Sequence, residues 1–188
     1  MNLEEAVFEK LKAQKIVLCT IESCTGGLIA HLITDIAGAS EVLWGSWVTY
    51  DNSSKIQLGV SETTLTTRGA VSPEVANELA RSGLRALERA FQAKFSDPHQ
   101  PLTHTQRLMA ISTTGIAGPS GGSPEKPVGL CYSAIISTEI SPSQTSTYSV
   151  ESTPITQAIQ APANLTRIQT KRFFAQKALE SILSYSFS

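Results

Sequence analysis

A serine, a lysine and a run of glycines are the groups in this sequence best placed to attack a substrate and to hold an anion. The segment TIESCTGG, residues 20–27, follows a short apolar run and precedes an amphipathic one. A nucleophile at such a strand-to-helix junction is presented at the edge of a sheet. It also stands beside N–H groups that the first turn of a helix leaves unpaired. Ser23 and Thr25 bring hydroxyls and Cys24 a thiol. Ser23 or Thr25 could equally serve only to cap the helix that follows. Cys24 has no histidine partner to which the sequence points, so it reads as a buried cysteine.

The segment WVTYDNSSK, residues 47–55, ends a second apolar run with Tyr50 and places Lys55 five residues on, across a polar turn. A serine hydroxyl is a weak nucleophile and needs a base. A lysine serves as one when burial or neighbouring cations bring its pKa toward neutrality. The alternative is a lysine that faces solvent on a short helix.

The segment ISTTGIAGPSGGSPEKPVG, residues 111–129, has four glycines and three prolines between Thr114 and Pro127. Glycines let a backbone approach a ligand, and successive N–H groups can cradle a phosphate or an oxyanion. Gly115, Ala117, Gly118, Gly121 and Gly122 are the candidate contacts there. The spacing is neither that of a Walker loop nor G-x-G-x-x-G, so the loop reads either as an anion site or as a structural turn.

The elements that must position these groups follow from periodicity. Leu3, Val7 and Leu11 share a helical face over residues 2–14, and residues 16–21 form a buried strand. Leu28 to Ile36 is a helix closed by Gly38, and Leu43 to Tyr50 is a second strand followed by a helical turn over 52–58. Ser72-Pro73 starts a helix, with a hydroxyl at the cap and proline at the first position. Along it Val75, Leu79, Gly83, Leu87 and Phe91 recur every four residues. Strands are expected over 107–112, 128–136 and 145–150. Loops are expected over 94–107 and 151–164, and a last helix over 165–183 with Ile168, Ala175, Leu179 and Ile182 inward. Alternating strands and helices predict an α/β fold. It is a single three-layer domain over residues 1–188, with a mixed, mostly parallel sheet and helices on both faces.

At 188 residues, 41% hydrophobic and 16% charged, the chain is long enough for a real core. A net charge of -1 with no basic run argues against a nucleic-acid partner. No apolar stretch approaches the ~20 residues of a membrane span. The first fifteen residues read as a helix and not a leader, so a cytoplasmic protein without a membrane partner is expected. Three cysteines without a CxxC pair and three scattered histidines make neither a disulfide framework nor a metal site.

Together these segments resemble the CinA carboxy-terminal domain family. IESCTGG stands at 21–27, YDNSSK at 50–55, GAVSPEV at 69–75 and TGIAGPSGGSPEKPVG at 114–129. Arg167, eleven residues before Ala178-Leu179, is similar to an arginine of the family's last helix. Members of the family include deamidases that convert nicotinamide mononucleotide to nicotinate mononucleotide and ammonia. The resemblance implies Ser23 as nucleophile, Lys55 as its base, and Tyr50 and Thr114 as supporting hydroxyls, with no cofactor or metal. Tyr50 would orient Lys55 or pack on the substrate ring. The implied substrate contacts are Thr25, Gly26, Gly27, Arg167 and the glycine-rich loop, where a 5′-phosphate fits.

The resemblance also implies a nucleotide substrate and a homo-oligomer, and a standalone form of a domain that often follows another. A protein of this fold that binds a nucleotide or metabolite without catalysis, and an amidase acting on another small amide, are the alternatives. Trp44 and Trp47 replace smaller residues of the family pattern and line the pocket or fill the core. The segments 94–107 and 139–164 are more polar than that pattern.

Overall fold

A computed structural model describes residues 1–95, 99, 102–141 and 152–187. Its centre is β1 (Ile16–Glu22), whose near-continuous burial is that of a strand covered on both faces. β1 pairs in parallel with β2 (Leu43–Val48) on one side and with β3 (Gln106–Gly115) on the other. β4 (Leu130–Ile140) lies antiparallel to β3, and β5 (Ile155–Gln160) antiparallel to β4. The order is β2-β1-β3-β4-β5, so β4 alone runs against the other four strands. The sheet is mixed and mostly parallel in strand direction, as expected.

Side-chain alternation assigns two layers to the two faces. Ile16, Leu18, Met109, Ile111 and Ile135 face α1 (Leu3–Ala13), α2 (Leu28–Thr34) and α6 (Arg167–Ser184). Cys19, Ile21, Leu108, Ala110, Ala134 and Ile136 face the long helix α5 (Pro73–Phe95). Gly83 lets α5 sit close to β1, because a Cβ there would collide with Ile21. α1 starts with a capping box, Glu5 N–H donating to Asn2 Oδ1 at 2.8 Å and Asn2 N–H to Glu5 Oε2 at 3.0 Å.

Between β2 and α5 lie α3 (Asn52–Leu58) and α4 (Glu62–Arg68). The chain therefore leaves β1 for β2 on one side and then returns across β1 to β3. That reversal opens a crevice at the carboxyl ends of β1 and β3, where α/β sheets bind ligands.

Several elements differ from the sequence reading. β5 occupies a segment expected to be a loop. ITQAIQ is polar because this is an edge strand, with Ile159 its one buried residue. α4 was not expected in a stretch of four threonines. Thr66 and Thr67 turn their hydroxyls back onto helix carbonyls, while Glu78 of α5 accepts from Ser61 N–H and Thr64 Oγ1. In α6 the buried face begins at Thr170, so Ile168, expected inward, is 67% exposed. The strand expected over 145–150 lies outside the described residues. Among the described residues no helix is long and apolar enough to cross a membrane.

Candidate active site

Ser23 is the first residue beyond β1. Its N–H donates to Thr113 O of β3 at 3.0 Å, which fixes the turn to the sheet, and its carbonyl accepts Gly26 N–H at 3.1 Å. Gly26 and Gly27 then take left-handed φ angles of 63° and 90°, which turn the chain into α2. Neither hydroxyl of this turn caps the helix. The buried Glu22 carboxylate does, accepting Ile29 N–H at 3.1 Å and Ala30 N–H at 2.9 Å. Thr25 Oγ1 pairs instead with Thr113 Oγ1 at 2.8 Å. Ser23 Oγ is left without a hydrogen-bond partner among the described residues, 8% exposed and bordering a cavity.

Lys55 enters that cavity from α3, whose first turn is capped by Asp51 accepting Ser53 N–H at 2.8 Å. It is only 2% exposed. Nζ donates to Thr49 O at 2.8 Å and to Tyr50 O at 3.2 Å, leaving one position on the nitrogen uncommitted. Burial holds the Lys55 pKa below the ordinary lysine value, opposed by the charges of Asp51 and Cys24. Among the described residues no carboxylate forms a salt bridge with it. Ser23 Oγ and Lys55 Nζ border one cavity without a direct hydrogen bond.

Thr114, at the end of β3, donates through Oγ1 to Ala70 O at 2.7 Å. The glycine-rich segment then folds back on β4, with Ile116 N–H donating to Leu130 O and Gly129 N–H to Ile116 O, both at 2.8 Å. Gly118 takes a φ of 74° against Val128, where a Cβ would be 2.5 Å from Cγ1. Arg167, in the first turn of α6, clasps this loop to the one after β2. Its Nη1 donates to Gly118 O at 2.6 Å and its Nη2 to Tyr50 Oη at 2.7 Å.

The resulting cavity encloses about 270 Å³, at the small end of ligand sites. Ser23, Lys55, Tyr50, Thr114, Gly115, Ala117, Gly118, Gly121 and Arg167 all line it. Thr25, Gly26, Gly27 and Gly122 do not. Thr25 is buried against Thr113, and a Cβ on Gly26 would face Lys171. Its lining holds the basic side chains Lys55 and Arg167 and no carboxylate, so its field favours an anion. Among the described residues no three His, Cys, Asp or Glu side chains are grouped to hold a metal ion.

The family model of the CinA C-terminal domain matches residues 1–95 and 100–182. The chain belongs to the CinA C-terminal domain family. A protein of Caldanaerobacter subterraneus subsp. tengcongensis named for competence-damage induction is 48% identical over 132 residues, 70% of this chain and 28% of that protein. A CinA-like protein of Desulforapulum autotrophicum is 44% identical over 131 residues, 69% of this chain and 27% of its own length. The chain thus spans less than a third of these relatives. The crystal structure of the competence/damage inducible protein CihA of Agrobacterium tumefaciens superposes with a TM-score of 0.72 at 31% identity, covering 97% of this chain and 94% of that one.

Several residues of this CinA domain's site escape a reading of the sequence. Glu22 stands in the first motif, but its role needs the α2 amides to be in reach. Ala70 and Val71 line the cavity from the α4–α5 connection, which reads in sequence only as a helix start. Asn52 and Ser120 also border it, each inside a recognised motif at a position with no evident chemistry of its own. Cys24 both borders the cavity and is buried. Trp47 packs against the α5-side core, and neither tryptophan lines the cavity.

Proposed function

We propose that the chain hydrolyses the carboxamide of an anionic pyridine nucleotide, nicotinamide mononucleotide, to nicotinate mononucleotide and ammonia. The observation that carries this reading is a buried lysine, its pKa lowered by burial, bordering the same cationic cavity as an unpaired serine hydroxyl. Neutral Lys55 takes the Ser23 proton while Oγ bonds to the carboxamide carbon. The N–H of Cys24, which donates to no group among the described residues, is free to serve the developing oxyanion. Such a donor contributes about 3 kcal/mol. The Lys55 ammonium then passes its proton to the departing nitrogen, ammonia leaves, and water hydrolyses the Ser23 ester with Lys55 again as base.

The same features support the choice of substrate. Arg167 and the glycine-rich loop offer a cationic, backbone-lined wall for the 5′-phosphate, and Tyr50 stands at the mouth. The resemblance of the four motifs to those of the deamidases supplies the mononucleotide itself. Purified protein incubated with nicotinamide mononucleotide releases one ammonia per nicotinate mononucleotide on this reading. Ammonia from other small amides but not from the mononucleotide would reassign the substrate.

The missing direct hydrogen bond between Ser23 and Lys55 favours a second reading, a protein that binds the nucleotide without turning it over. Catalytic hydrogen bonds often tighten only with substrate in place. Calorimetric binding of the mononucleotide with no product after prolonged incubation would establish the binder.

A further inference from the structure

Two of the three cysteines are neighbours in space. Cys24 Sγ, on the turn that carries Ser23, lies 3.7 Å from Cys131 Sγ near the start of β4. Both are reduced. Ala117, Ile159, Ala161 and Phe174 surround the pair with apolar walls.

The two sulfurs differ in access. Cys24 borders the cavity, whereas Cys131 is fully buried. Burial and the contact with Cys24 hold the Cys131 thiol well above its usual pKa. Lys55 borders the same cavity as Cys24, and the two groups interact electrostatically. A small oxidant that enters the cavity therefore meets Cys24 first, with Cys131 behind it in the place of a resolving thiol. Cys19 cannot take part, because it points to the α5 side of the sheet.

We propose that Cys24 and Cys131 are a modification site, closing to an intramolecular disulfide when a peroxide enters the cavity and so switching the site off. The Cys24 thiolate attacks one peroxide oxygen, the O–O bond breaks, and the released hydroxide is protonated to water. Cys24 is left as a sulfenic acid. The Cys131 sulfur then attacks the Cys24 sulfur and displaces hydroxide, which leaves as a second water with the Cys131 proton. Two thiols lose two electrons and two protons, and the peroxide is reduced to two waters. Drawing the sulfurs to the ~2.05 Å of a disulfide pulls Cys24 toward β4. Ser23 immediately precedes Cys24, and β4 lies on the other side of β1 from β2 and the Lys55 helix that follows it, so the pull displaces Ser23 relative to Lys55. A dithiol reductant reverses the step.

The test treats the intact chain with hydrogen peroxide, alkylates remaining thiols under denaturing conditions, and maps the peptides by mass spectrometry. The expected product is a Cys24–Cys131 linked peptide two hydrogens lighter than its parts, with Cys19 alkylated and the link removed by dithiothreitol. The Cys131→Ala variant forms no link and accumulates sulfenic acid at Cys24, which a dimedone probe traps. Two alkylated thiols at Cys24 and Cys131 after exposure, or only intermolecular links, overturn the proposal.

The switching half rests on the proposed hydrolysis. Oxidised wild type should release ammonia about 100-fold more slowly, the scale on which ~1 Å misplacements slow catalysis, and recover on reduction. A linked protein with undiminished turnover overturns that half. A reduced protein with no turnover refutes the hydrolysis instead, and mononucleotide affinity before and after linking then decides whether the disulfide closes the cavity.

Discussion

The Glu22 carboxylate accepts the Ala30 N–H at 2.9 Å, and this bond joins the last residue of β1 to the first turn of the helix beyond the Ser23 turn. The other carboxylate oxygen takes the Ile29 N–H. The five residues from Ser23 to Gly27 are therefore spanned by a brace that leaves their own hydroxyls free of capping. Glu22→Ala should cost about 1–3 kcal/mol of stability, since it removes a cap and leaves the buried Ile29 amide and the half-buried Ala30 amide unpaired. Glu22→Gln keeps one acceptor and should recover part of that loss. Urea unfolding of the three proteins checks the order.

Lys55 should give turnover a rising limb with pH. A lysine in the proposed role of base must be neutral, and burial lowers the folded pKa of Lys55, so the midpoint lies below the ~10.4 of a free lysine. Between those two values the unfolded chain holds the proton that the folded chain has released, so stability also rises with pH across that window. Lys55→Arg retains a positive charge at every accessible pH and should be inactive throughout. A pH–rate profile of wild type and variant separates a base from a fixed charge.

The placement of these candidate residues was legible because their motifs end strands. A buried run before ESCTGG, an aromatic run before YDNSSK and a third strand before the glycine-rich loop place all three at one edge of a parallel sheet. Ser23, Lys55 and Thr114 meet there. What stayed hidden depends on partners distant in the chain. ITQAIQ becomes β5 only because β4 offers it an edge, and ETTLTTR becomes α4 with Glu78 of α5 holding its start. The bonds of Arg167 to Gly118 and Tyr50 join groups 49 and 117 residues apart. No local pattern announces them.

That clasp predicts a graded effect on binding. Tyr50→Phe removes one hydrogen bond, about 1 kcal/mol, and should raise KM roughly fivefold with kcat little changed. Arg167→Ala frees both Gly118 and Tyr50 and strips a cation from the wall, so KM should rise by about 10–100-fold. Arg167→Lys should rescue little, since one ammonium cannot span both acceptors. Steady-state kinetics with the mononucleotide reads all three.

Gly83 tests how closely α5 must approach the strand that carries Ser23. Alanine there would favour the helix by about 1 kcal/mol on propensity alone. Its methyl would collide with Ile21, however, and overpacking of a tight core costs about 1–3 kcal/mol. Gly83→Ala should therefore unfold at lower urea than wild type. A higher midpoint would mean that the helix can move off β1 freely.

Ammonia release from nicotinamide mononucleotide, measured side by side for wild type, Ser23→Ala and Lys55→Ala with mononucleotide affinity recorded for each, tests the serine–lysine hydrolysis itself. A serine nucleophile served by a lysine base predicts turnover in the wild type and a loss of about 1,000-fold or more in both variants, with binding retained in Ser23→Ala. Near-wild-type turnover in either variant would contradict it.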